Sequence, residues 1–191
     1  MITHILAYLL QILGWKIKGD ILVDEKKSVV IAAPHTSNWD YIIGRIACYK
    51  LGVPIQYLIK KEACVFPLNM IIRSTGGIPI DRKRSQGLIG KMIELFNTYS
   101  TLHLIITPEG TRSRVAKWKT GFYYIALEAK VPILLGYLDY HRKEAGIGKI
   151  LHPSGDIHAD MKIIEHFYRD KGARFPSQYN PDIFSEETKR S

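Results

Sequence analysis

The sequence predicts an α/β fold: one domain with a central, largely parallel (mixed) sheet flanked by helices, and an amphipathic helix at its N-terminus. Three observations predict it. Short runs of branched apolar residues alternate with segments long enough for helices, the pattern of strands buried on both faces by their crossover connections. The 191 residues, 46% hydrophobic and 24% charged, suffice for one core, and neither an internal repeat nor a composition shift marks a linker. The residues least suited to a core, a histidine, acids and clustered arginines, fall just past the ends of the apolar runs, where an α/β sheet collects its ligands.

Residues 1–15 are almost uncharged. His4, Tyr8, Gln11 and Trp15 recur at three- and four-residue steps against Ile2, Ile5, Leu6, Leu9, Ile12 and Leu13, which gives the amphipathic helix. A helix over 2–15 is about 21 Å long, short of the roughly 30 Å hydrocarbon core. It is expected to lie in a membrane interface or to pack on the domain, not to cross a bilayer. Lys16 and Lys18 follow it instead of preceding it and no small-residue cleavage site is evident, so a removed signal peptide is not expected. Residues 16–24 offer an edge strand. The runs 29–33, 55–59, 78–80, 102–106 and 133–138 are short, branched and bounded by turn residues, and 147–151 offers a further edge. Between them, 38–51, 62–73, 85–99 and 118–129 have helical length, with Pro67 expected to kink or break the second. A last helix is expected at 161–169, and 170–191 reads as a polar tail. The motif-bearing core thus spans 29–138 of a single domain, 1–191.

The formal net charge of +9 draws the chain toward anionic partners: nucleic acid, a phospholipid surface or a phosphorylated substrate. Nucleic-acid binding requires a continuous basic face with aromatic platforms, whereas these cations cluster in loops after strands, so no nucleic-acid partner is expected. The two cysteines, Cys48 and Cys64, form neither a CxxC pair nor a zinc-spaced cluster with histidine. They read as reduced thiols of a cytosolic chain without a metal.

Three blocks carry chemistry. In Pro34-His35-Thr36-Ser37-Asn38-Trp39-Asp40, a histidine ahead of a helix and an aspartate in its first turn can meet, the carboxylate fixing one ring nitrogen and leaving the other as a base. The same letters also fit an S-x-x-D capping pair beside an unremarkable histidine. In Gly76-Gly77-Ile78-Pro79-Ile80-Asp81-Arg82-Lys83-Arg84, a tight turn leads into a short buried strand that ends in three cations, where Arg82 can grip phosphate in a fork or simply be solvated. In Pro108-Glu109-Gly110-Thr111-Arg112, glycine permits close approach of the backbone to a ligand and Arg112 supplies a second fork, with Glu109 as an ion-pair partner for the arginines. Phosphate-loop, G-x-S-x-G and H-E-x-x-H motifs are absent, and a hydrolase using Ser37 or Cys64 has no supporting motif. A base without a protein nucleophile suggests that the substrate brings its own, such as an alcohol.

In order and chemistry these blocks, followed by Val131-Pro132-Ile133, resemble the H-x4-D, G-x-I-x-I-x-R, P-E-G-T-R and V-P-I blocks of the glycerolipid acyltransferase family, typified by the 1-acylglycerol-3-phosphate acyltransferases. The resemblance implies that His35 takes the proton of a glycerol hydroxyl as it attacks the thioester of acyl-CoA or acyl-carrier protein, and that Asp40 orients His35. Arg82 and Arg112 would hold the acceptor phosphate, in a pocket shaped by Glu109, Gly110 and Thr111. It implies no cofactor beyond the acyl thioester co-substrate and no covalent intermediate. The partners would be a lysophospholipid, 1-acylglycerol-3-phosphate first, an acyl thioester and a membrane surface, with the chain peripheral or monotopic on the cytoplasmic face of the cell membrane. Pro34 replaces a frequent asparagine, Pro79 interrupts the second block and the V-P-I block lacks a second proline, which leaves another lysolipid or an aminolipid open as acceptor. A catalytically silent anionic-lipid binder is the alternative, against which His35 and Asp40 weigh, because phosphate binding needs neither.

Overall fold

A computed structural model describes residues 2–19, 25–80 and 87–184, with side chains from Ala7 onward. Seven strands form one mixed sheet in the order β1-β7-β6-β2-β5-β3-β4: β1 (Lys16–Lys18), β2 (Lys27–Ala33), β3 (Ile55–Lys60), β4 (Gly77–Ile80), β5 (Leu102–Ile106), β6 (Ile133–Asp139) and β7 (Glu144–Leu151). Strands β6, β2, β5, β3 and β4 run parallel, while β7 pairs antiparallel with β6 and carries β1 parallel to itself. The expected α/β architecture is therefore the observed one. Strand β7 starts three residues before the expected 147 because Gly146 and Gly148 dilute its apolar pattern. Glycine is required at 146, where a Cβ would lie 1.6 Å from the Lys18 carbonyl of β1.

Alternate residues of β2 point to opposite layers. Val29, Ile31 and Ala33 join Leu102, Leu104, Ile133 and Leu135 under α4 (Leu88–Thr98), α5 (Gly121–Glu128) and α6 (Ile157–Tyr168). Val30 and Leu134 face α2 (Asn38–Lys50) through Cys48, and beside that helix α1 (Ile2–Ile12) packs Ala7 and Leu10 against Ile43, Ile46 and Ala47. Because the chain leaves β2 for α2 on one face and β5 for α5 on the other, a crevice opens between the carboxyl ends of these two neighbouring strands.

Several boundaries differ from expectation for local reasons. The segment expected helical over 62–73 is broken: a 3₁₀ turn at Lys61–Ala63 is followed, after Pro67, by α3 (Leu68–Ser74). Residues 118–120 stay out of α5 because Trp118 N–H donates to Ile183 O (2.9 Å) and Lys119 N–H to Pro108 O (3.0 Å). Helix α6 begins a turn earlier than 161, where Asp156 caps it by accepting from the N–H groups of His158 (3.0 Å) and Ala159 (3.1 Å). Trp15, expected on the polar face of the first helix, lies beyond α1 and is buried edge-on against Tyr140 with ring centroids 5.0 Å apart. The reading of 170–191 as a polar tail is corrected over its described part. Tyr179 and Ile183 are buried, Tyr179 OH donates to Tyr168 O (3.1 Å), and Arg114 Nη1 donates to Tyr179 O (2.7 Å), so 170–184 straps the β5–α5 loop to the core. Of the edge strand expected at 16–24, β1 occupies 16–18, and 20–24 lie outside the described residues. No described helix is long and apolar enough to cross a membrane.

Candidate active site

The loop after β2 turns into α2 through a capping box. Ser37 is the N-cap, its Oγ accepting from Trp39 N–H (3.2 Å), while the Asp40 carboxylate reaches back over the turn. Asp40 Oδ2 accepts from the N–H groups of Thr36 and Ser37, both at 2.7 Å, and the same oxygen lies 3.4 Å from His35 Nδ1. Capping and orientation are thus two uses of one carboxylate: the bonds that fix the helix start also bend the loop so that the imidazole meets the acid. Tyr140, just past β6, donates its OH to Asp40 Oδ1 (2.6 Å). Burial would raise the Asp40 carboxyl, but the hydrogen bonds from His35, Tyr140, Ser37 and Thr36 outweigh it and hold the group below its ordinary 3.8. It stays ionised beside His35, whose Nε2 meets no partner among the described residues and is left for the cleft.

The loop after β5 supplies the facing wall. Glu109 is buried, and both its oxygens accept from the His35 backbone N–H (2.9 and 3.3 Å). The ion pair with arginine expected from the sequence is replaced by this contact, since Arg112 Nη1 donates instead to Asn38 Oδ1 at the start of α2. Gly110 has φ +70°, a left-handed conformation that disfavours other residues, and a Cβ there would stand 3.0 Å from Lys119 Nζ. Thr111 Oγ1 accepts from Ser113 N–H (3.3 Å), tightening the turn that presents Arg112. The structure therefore brings His35, Asp40, Glu109, Gly110, Thr111 and Arg112 to one place, and Arg82 lies outside the described residues. The V-P-I block stands at the amino end of β6, where Pro132 O accepts from Val29 N–H (3.0 Å), and lends no side chain to the site.

These loops border a cleft of about 960 Å³. Its polar end carries His35, Asn38, Arg112 and Lys119, and its walls are apolar, from Tyr41 and Ile42 of α2, Tyr57 and Leu58 of β3, and Leu88 and Met92 of α4. An imidazole and cations lining a cleft with apolar walls suit an amphiphile with an anionic head. Ser37 Oγ is spent on the cap, buried Cys48 has its thiol pushed up to about 12 by desolvation, and Cys64 sits on the β3–α3 connection and does not line the cleft. No set of three or more His, Cys, Asp or Glu side chains suited to a metal occurs among the described residues.

Sequence reasoning missed Tyr140, and it offered Lys119 only as one cation of the stretch that follows Arg112, without a place in the site. Tyr140 follows directly on a strand's carboxyl end, the same positional rule that singled out His35 and Glu109. Lys119 belongs to a basic run that gives no hint of which member turns inward.

The two buried acids are driven apart. Burial, with the nearby Asp40 charge, pushes Glu109 up to about 8 from 4.5 despite the His35 N–H it receives, so at neutral pH it holds a proton. A carboxyl raised on folding stabilises the native state fully below its unfolded value and loses that contribution as pH rises through the folded one. Between about pH 5 and 8 the melting temperature of the parent is therefore expected to fall by several degrees relative to that of Glu109→Gln. Parallel melting curves with pH would contradict this.

Comparison with known proteins adds a family and a fold. The family described as Acyltransferase matches the sequence over residues 15–134. The crystal structure of the 1-acyl-sn-glycerophosphate (LPA) acyltransferase PlsC from Thermotoga maritima is similar in fold, with a TM-score of 0.58 and 21% sequence identity, covering 84% of this chain and 72% of that one. No curated protein matches.

Proposed function

The chain belongs to the acyltransferase family, and from that premise we propose that it transfers a fatty acyl group from acyl-CoA or acyl-carrier protein to a hydroxyl of a lysophospholipid, with 1-acylglycerol-3-phosphate as the first acceptor to test. The observation that carries this reading is the pairing of His35 with the ionised Asp40 at the cationic end of an apolar cleft. In the proposed reaction His35 takes the hydroxyl proton as the acceptor oxygen bonds to the thioester carbonyl carbon. The C–S bond then breaks, and the thiolate leaves with the proton returned by the imidazolium, so no acyl-enzyme forms. Arg112, with Arg82 from the stretch after β4, is assigned to the acceptor phosphate. Glu109, Gly110 and Thr111 shape that pocket through the His35 backbone and the turn that holds Arg112. The acceptor choice follows the activity given for the Thermotoga maritima protein and the charge at the cleft's end. We place the chain as a peripheral or monotopic protein at the cytoplasmic face of the cell membrane, where its substrates reside.

Thiol release with each donor, over a panel of lysophosphatidic acid, neutral lysolipids and an aminolipid, tests the proposal. Turnover that depends on the acceptor supports it, and vesicle binding without transfer to any acceptor would favour the silent lipid binder. Arg112→Ala is expected to raise KM for a phosphate-bearing acceptor about 10- to 100-fold, the worth of a charge-assisted fork, and to leave KM for the donor nearly unchanged. An Arg112→Lys variant should lie between, keeping the charge without the fork.

A further inference from the structure

A surface apart from the cleft also exposes apolar residues. In the β3–β4 connection Val65, Phe66, Leu68, Met70 and Ile71 all project into solvent, Phe66 with 81% of its surface exposed and Met70 with 65%. Single exposed apolar residues are ordinary, but five within seven positions are a concentration of the kind that marks interaction sites. We propose that this connection, residues 64–74, is a second bilayer-contacting element that seats its apolar side chains in the interface of an anionic phospholipid surface beside the mouth of the cleft. The inference rests on the lipid chemistry proposed above for the identity of its partner.

Three placements carry it. First, residues 61–67 follow the carboxyl end of β3, which neighbours β5, so the patch starts on the sheet edge that bears His35, Glu109 and Arg112. Strand β3, which supplies Tyr57 and Leu58 to the cleft wall, leads directly into it. Second, the connection shares a face with the N-terminal helix. The Tyr57 ring meets Tyr41 of α2 edge-on at 5.5 Å, the Tyr57 OH and Thr75 Oγ1 are 2.9 Å apart, and Arg45 of α2 donates to the Thr75 carbonyl. Helices α1 and α3 therefore flank α2 on one side of the sheet, and α1 with the turn after it exposes Tyr8, Leu9, Ile12 and Leu13. Third, exposed Lys60, Lys61 and Arg73 border the patch and Glu62 is the lone acid between positions 60 and 74, in a chain of net charge +9. Apolar insertion bordered by cations suits an anionic lipid interface.

Vesicle co-sedimentation of the full chain tests the inference, using phosphatidylglycerol mixed with phosphatidylcholine and, separately, phosphatidylcholine alone. The double variant Phe66→Glu with Ile71→Glu is expected to lose about tenfold or more of its partitioning onto the anionic vesicles. Its melting temperature should be unchanged, because both side chains are exposed. The Phe66→Trp variant, read against the parent, should gain a blue-shifted emission with anionic vesicles and a smaller one with phosphatidylcholine. Equal partitioning of the double variant, or Phe66→Trp emission indifferent to vesicles, would overturn the inference. So would a concentration-dependent dimer of the parent that the double variant disperses, since the occupant would then be a second copy of the chain. Turnover of the double variant on a short-chain, water-soluble acceptor should match the parent. If neither protein turns over, the proposed activity fails while the binding comparison still decides this surface.

Discussion

Replacing His35 by alanine is expected to lower kcat for acyl transfer about 10²- to 10⁴-fold, the range lost with a positioned general base. KM for either substrate should change little, because in the proposed reaction the imidazole moves a proton and the cations beside it hold the head group. The fold should tolerate the change. The His35 side chain is one-fifth exposed, its described contact is Asp40, and the backbone N–H that Glu109 accepts remains in the variant. Thiol release in the absence of acceptor should show no stoichiometric burst in either protein, because in the proposed reaction the acceptor hydroxyl attacks the thioester directly. Retained turnover in His35→Ala would remove the base assignment. A burst without acceptor would instead place a nucleophile on the protein, which neither Ser37 nor the two cysteines is arranged to be.

How far the sequence shows such a site depends on the range of the interactions that build it. Strands β2, β5 and β6 announce themselves, because strands buried on both faces are apolar along nearly the whole run, the buried Ser28 of β2 and His103 of β5 being paired with each other at 2.8 Å. Their carboxyl ends locate the loops in which His35, Asp40 and the Glu109–Arg112 stretch meet. The cap at Ser37 is equally legible, being complete within four residues. What the sequence does not show arises across long separations. Tyr140 reaches Asp40 over a hundred residues, the Glu109 side chain turns to the His35 backbone instead of to an arginine, and Tyr179 and Ile183 bury themselves in a stretch whose composition reads as polar. No local periodicity records any of these. Each follows from which strands become neighbours, and that order, β6-β2-β5, is itself non-sequential.

Asp40→Asn should cost nearly as much activity as loss of the histidine, about 10²- to 10⁴-fold in kcat, and unlike that loss it should also cost stability, about 1–3 kcal/mol at neutral pH. The amide keeps the size of the side chain but not its capacity. One terminal atom becomes a donor, while the carboxylate accepts from Thr36 N–H, Ser37 N–H and Tyr140 OH and faces His35 as well. Because hydrogen bonds hold the Asp40 carboxyl below 3.8, its share of stability is present above that value and lost as pH falls through the lower folded one. The stability gap between parent and variant should therefore close in acid. The pH profile of kcat/KM separates orientation from mere support of the loop. Without the negative charge an imidazolium at position 35 is less favoured, so the acid limb in Asp40→Asn moves to lower pH. Tyr140→Phe keeps the charge and the cap and removes one donor. The carboxylate then acts more strongly on the ring, and the acid limb moves the opposite way, to higher pH, with a loss in kcat of about tenfold or less. Two variants that lose activity with an unmoved limb would make Asp40 and Tyr140 a structural brace alone, and opposite shifts require that both act on the proton carried by His35.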